Sequence, residues 1–185
     1  MSTVRQLAHP TSEAVIRTVP LGVRPWDLVT GSPAEPGLTV TCRTVSGQVL
    51  TSVLTQGGVY VLSGIPALGA SERSDADEAY WYHPPASVPV TVQIDDPLGR
   101  YLPLSVEAVL PHRGLLSPNC PMPGSAAAVI PLFSAPGRLS PTGTAAVRAQ
   151  LVTTQGLPAR WASVSVGLPH GGLAHGVADG AGHAN

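Results

Sequence analysis

Four groupings in this 185-residue chain have residue types suited to chemistry. In "SDADEAYWYH", Asp75, Asp77, Glu78 and His83 offer oxygen and nitrogen donors to a cation such as calcium. That stretch lacks the glycine turn and the distal glutamate of a helix-loop-helix calcium site, so it reads as a solvated acidic loop. Asp95 and Asp96 form a carboxylate pair of the kind used in acid–base catalysis. Neighbouring residues on a strand point to opposite sides, however, and the pair reads as a turn former ahead of Pro97. His170, His175 and His183 suggest zinc, yet their spacings of five and eight match no compact zinc motif. No Gly-x-Ser-x-Gly elbow presents a serine nucleophile, and Cys120, within "SPNCPMPG", has no base near it in sequence. The expectation is a chain with no catalytic residue, no metal and no cofactor.

The segment that stands out is "AYWYHPP". Tyr80, Trp81, Tyr82 and His83 could stack on a sugar ring or anchor a protein interface, where Trp and Tyr dominate binding energy. Alternatively, Trp81 packs over an open end of the fold with the tyrosines half exposed.

Any such loop needs a scaffold, and composition sets its class. Apolar residues make up 43% of the chain, enough for a core, while 20 Gly and 20 Pro leave little room for long helices. Short alternating runs separated by turn residues give an all-β expectation. Leu38, Val40 and Cys42 share one face of a strand and Thr39, Thr41 and Arg43 the other. "SGQ" and "QGG" mark turns, and "VPVTVQIDD" and "RYLPLSVEAVLP" are strands joined by "DPLG". The chain divides into an arm at 1–17, with Ser12 capping a short helical stretch to Arg17, and a first β-sandwich at 18–111. A Pro-rich linker at 112–125 and a second β-sandwich at 126–185 follow.

A net charge of −1 argues against a nucleic-acid partner, and all ten cationic residues are Arg. No apolar run reaches the roughly 20 residues of a membrane-spanning helix. The N-terminal stretch has no secretory pattern, which leads us to expect a cytoplasmic protein. Cys42 sits on a strand and Cys120 in a loop, and whether they pair is open.

The two units share a plan. "VRPWDLVTGSPA" matches "VRAQLVTTQGLPA" with one insertion, and "LTVT" answers to "ASVSV". Without gaps, Val53 falls on Val177, Gly58 on Gly182 and Val61 on Asn185. Trp26 and Trp161 take comparable early positions and are expected in the cores. The Thr/Asp-x-x-Gly turn, strand and Gly-Ile-Pro turn of "TQGGVYVLSGIP", with its first half in "ADGAGHAN", resembles the carboxypeptidase regulatory-like (transthyretin-like) β-sandwich. That resemblance implies an accessory interaction module rather than a peptidase. On it, the second unit stops before its later strands, which implies a longer protein or strands supplied by a neighbour.

A second resemblance covers most of the chain. "VRPWDLVTG", "VTVQIDDPLGRYLPL" and "IPLFSAPGRLSPTGTAAVRAQLV" are similar in phrasing to structural components of actinobacterial contractile injection systems, the phage-tail-like particles. It implies a baseplate or cap subunit in a large homo- or hetero-oligomeric assembly, bound to other particle subunits. A carbohydrate-binding accessory module using the Tyr80–Tyr82 loop is the alternative.

Overall fold

The computed structural model describes residues 20–66, 68, 87–110, 127–169 and 171–185. The arm, the acidic and aromatic loop with Tyr80, Trp81, Tyr82 and His83, the linker with Cys120, and His170 all lie outside the described residues. Within the described residues the protein is all-β, as the alternation predicts, with strands and turns and no helix.

Two sheets face each other across one apolar core. The central strand of the first is β1 (Leu21–Asp27). Leu21 and Val23 point inward with alternate parity, and so, two and four residues on, do Pro25 and Asp27. β2 (Ser32–Pro33) pairs antiparallel with the far end of β1. β6 (Tyr60–Leu62) pairs with its beginning, and β5 (Val53–Leu54) lies beyond β6. The second sheet runs in the order β4 (Val49–Thr51), β3 (Thr39–Thr44), β7 (Val88–Asp95), β8 (Leu104–Leu110), all antiparallel. β4 and β5 are one extended run that changes sheets at Ser52, whose amide donates to the Val40 carbonyl (2.9 Å).

Val40 and Cys42 from β3, Val90, Val92 and Ile94 from β7, and Leu62 from β6 meet in the core. Each is almost fully buried, and burial of such a side chain contributes about 1.5–3 kcal/mol. Ile65 and Leu68 follow the Gly-Ile-Pro turn into the same core. The turn bends at Gly64, whose φ of 72° suits a residue without Cβ.

β9 (Ala128–Leu132) lies beyond the Pro-rich segment, where the sequence places the opening of the second unit. It instead runs parallel to β1, pairing Val23 with Ala128 through to Asp27 with Leu132, on the edge opposite β6 and β2. Ile130 and Leu132 enter the core of the first strand set. Beyond β9, Tyr101 and Ser134 form a bridge, Leu102 N–H donates to the Phe133 carbonyl and Ala135 N–H to that of Arg100. The exit of one sheet is thereby stitched to the β7–β8 connection of the other.

The remaining strands are β10 (Ala149–Gln150), β11 (Ser163–Gly167), β12 (Leu173–Val177) and β13 (His183–Ala184). β10 pairs with β13 and β11 with β12. The register of β11 and β12 follows the sequence match. Thr41 faces Thr51 and Cys42 faces Leu50 in the first set, as Ser165 faces His175 and Val166 faces Ala174 in the second. Val23 faces Tyr60 and Trp26 faces Pro33 in the first set. In the second, Ala184 faces Ala149, two residues beyond Val147, the sequence counterpart of Val23, and Val152 faces Pro158.

Turns recur as well. Thr55 donates its amide to the Val59 carbonyl (2.9 Å), and its hydroxyl accepts from the Val59 amide (3.2 Å). Asp179 does the same with His183, at 2.8 Å for the main-chain bond and 2.9 Å to its carboxylate. The turns close on Gly58 and Gly182, with φ of 73° and 84°.

Candidate interaction surface

Asp27 continues the inward-facing series of β1 and so carries a charge to the margin of the core, where burial is costly unless it is paired. Arg138 supplies the partner. Its Nη1 donates to Asp27 Oδ1 (3.0 Å) and to Ser134 Oγ (2.9 Å), and its Nη2 donates to Asp27 Oδ2. The Tyr101 hydroxyl donates to the same Oδ2 (3.2 Å) and the Val29 amide to Oδ1 (2.9 Å). The guanidinium also lies over the Tyr101 ring, 4.6 Å from its centroid. Burial pushes the Asp27 pKa up, but the Arg138 hydrogen bonds, the Val29 amide and the neighbouring positive charge outweigh it and hold the carboxyl at about 2. Both oxygens of Asp27 are consumed inside the protein, which leaves no acceptor facing a substrate. The cluster is a fastener between β1 and the segment beyond β9.

Asp96 is placed as the sequence implies for a turn former. Its carboxylate accepts from the amides of Leu98, Arg100 and Tyr101 and from Arg100 Nε (2.9 Å), while Arg100 Nη1 reaches Glu35 (2.9 Å). Asp95, at the end of β7, faces Thr39 across the ladder. Cys42 is fully buried, and burial raises its thiol pKa. His175 Nδ1 lies 2.9 Å from Ser165 Oγ across β11 and β12, an exposed pair that the sequence does not announce. The same positions in the first set hold Thr41 and Thr51, so a polar cross-strand pair is what this register favours. His183 stands 3.7 Å from Asp179. Among the described residues, no three His, Cys, Asp or Glu side chains converge on a common point.

Among the described residues, the apolar residues of β11 are less covered than their counterparts in β3. Val40 and Cys42 are flanked by β7 and fully buried, whereas their counterparts Val164 and Val166 are half-buried. Val152, Leu157, Trp161, Leu168 and Leu173 of the same strand set are exposed. Trp161, expected in a core, is 55% exposed. Its backbone φ is +58°, at the place where the first set has Gly37 with φ +100°. A bulky residue in that region is strained, and the Trp161 ring lies against Gly180. Trp26 is half-buried on the outer side of β1.

β11 itself pairs only with β12 among the described residues. Ala178 donates to the Ala162 carbonyl and Leu168 to that of Gly172, which sets even-numbered residues of β11 against β12. Ser163, Ser165 and Gly167 therefore direct their N–H and C=O groups to the open side. Scans against family models, curated proteins and solved structures each found no match.

Proposed function

We propose that this chain is a structural assembly subunit that works through protein–protein contacts and carries out no catalysis. The contrast between its two strand sets supports this reading. In the first, the buried Asp27–Arg138 charges are paired, and Val40 and Cys42 lie fully buried in the core. In the second, β11 pairs on one side only among the described residues, its counterparts Val164 and Val166 are half-buried, and several large apolar side chains of the set are exposed. Surfaces of that kind are completed by other protein segments. The particle that the sequence phrasing resembles, a contractile phage-tail-like assembly, is the setting we propose, with the subunit in its baseplate or cap region and no cofactor involved.

Sedimentation of the native protein from its own cell lysate tests this. A fast-sedimenting pool containing tail-like particles under the electron microscope is the expected result. A protein that stays at the top of the gradient as a monomer overturns it. The carbohydrate-binding alternative rests on Tyr80, Trp81 and Tyr82, outside the described residues, and no described residue favours it.

A further inference from the structure

We infer that the open edge of β11 is a strand acceptor. It takes, in antiparallel register, an extended segment of a second chain with an apolar side chain at every second position. That segment sets its apolar side chains beside Val164 and Val166 as β7 sets Val92 and Ile94 beside Cys42 and Val40. The choice of a second chain as the source rests on the assembly reading above; the rest stands on geometry.

The first strand set acts as the template. β3 and β11 hold identical registers to β4 and β12, and on its other side β3 pairs with β7 from Thr39–Asp95 to Thr44–Val90. Val90, Val92 and Ile94 alternate inward there, with Thr91 and Gln93 outward. Transferred to β11, such a strand would set its main chain against Ser163, Ser165 and Gly167 and its apolar side chains beside Val164 and Val166. Main-chain pairing would provide the affinity and the alternate side chains the specificity.

The composition of β11 points the same way. Free edges are normally guarded by charge, proline, a bulge or extreme shortness. β5 has two residues, β4 has three, and the edge strand β8 carries Glu107. β11 reads Ser-Val-Ser-Val-Gly over five residues, with no charge, no proline and a continuous ladder to β12. An unguarded edge of this length is a liability in isolation and an asset in a subunit that accepts a strand.

The test uses the whole chain and, as probe, a synthetic hairpin of residues 88–110, the segment that occupies the equivalent edge. Hydrogen exchange is followed residue by residue. The amides of Ser163, Ser165 and Gly167 are expected to exchange freely in the isolated chain and to slow at least about tenfold with saturating probe. Ser163→Pro, which removes one edge donor at the first residue of the strand, should lose this protection while Ser163→Thr keeps it. Gly167→Pro, at the other end, serves if Ser163→Pro fails to fold. No slowing at saturating probe overturns the inference, and so does protection already present without probe, because the edge is then covered from within the chain.

Sedimentation separates the inference from the reading beneath it. Native chain sedimenting fast and Ser163→Pro remaining at the top supports both. Both sedimenting fast removes the inference and leaves the assembly reading standing. Both at the top removes the assembly reading and the second-chain donor with it.

Discussion

Asp27 and Arg138, 111 residues apart in the chain, meet in a doubly hydrogen-bonded ion pair shielded from solvent by Tyr101 and Ser134. The pair joins the end of the first strand to the segment beyond β9, and it decides how that junction responds to substitution.

Asp27→Asn leaves the Arg138 guanidinium buried without its counter-charge and should cost about 3–5 kcal/mol in urea unfolding. Replacing both partners with apolar residues, Asp27→Leu with Arg138→Met, should recover at least half of that, because no uncompensated charge remains. A double variant no better than the single one would show that the attraction itself, rather than the desolvated remainder, carries the stability.

Acid should loosen the same junction. The Asp27 carboxyl lies at about 2 in the folded protein against an ordinary 3.8. Its stabilisation is therefore complete above about pH 4 and is lost as pH falls from about 4 to about 2, an effect of about 2 kcal/mol. Unfolding midpoints measured between pH 2 and pH 6 should show this slope in the native chain and a shallower one in Asp27→Asn, with Asp96, also lowered, contributing to both.

Two glycines that close equivalent turns should differ sharply. Gly58 has open space where a Cβ would stand, so Gly58→Ala should cost only the price of its positive φ, about 1 kcal/mol. At Gly182 the added carbon would lie 2.6 Å from the Leu151 carbonyl oxygen. Gly182→Ala should therefore displace the turn between β12 and β13 from Leu151, seen as shifted amide resonances at Leu151 and His183 in a chain that still folds.

Truncation should separate the two strand sets. Leu62→Ala removes a fully buried side chain and should cost about 2–5 kcal/mol, whereas Leu173→Ala, 62% exposed, should stay within about 0.5 kcal/mol. A large cost at Leu173 in the isolated chain would mean that its face is already covered.

The strands were legible wherever alternation was local. Leu38, Val40 and Cys42, or Val90, Val92 and Ile94, declare a face within one strand, and Gly47, Gly58 and Gly64 declare turns because few other residues accept positive φ. The matching registers of β3–β4 and β11–β12 were visible for the same reason. The partner of β9 was not. "AVIPL" reads as a strand whichever neighbour it takes, and only the long-range fit of Ile130 and Leu132 into the core selects β1. The Asp27–Arg138 pair was hidden likewise, since neither residue has a local signature. Trp161 misled because size suggests burial, while its position corresponds to a glycine in the first set. That β11 pairs with β12 alone among the described residues is read from the ladder, not from the sequence.

The parallel course of β1 and β9 has a mechanical consequence. Tension applied between the residue entering β1 and the residue leaving β9 would run along both strands in opposite senses. Five facing positions, Val23–Ala128 to Asp27–Leu132, would then be loaded in shear together rather than unzipped one at a time. The Asp27–Arg138 ion pair sits at the end of that ladder and would be strained with it. Resistance to pulling is governed by the rate of crossing the unfolding barrier. Along this direction the first strand set would therefore yield by shearing a ladder of five pairs rather than by peeling it.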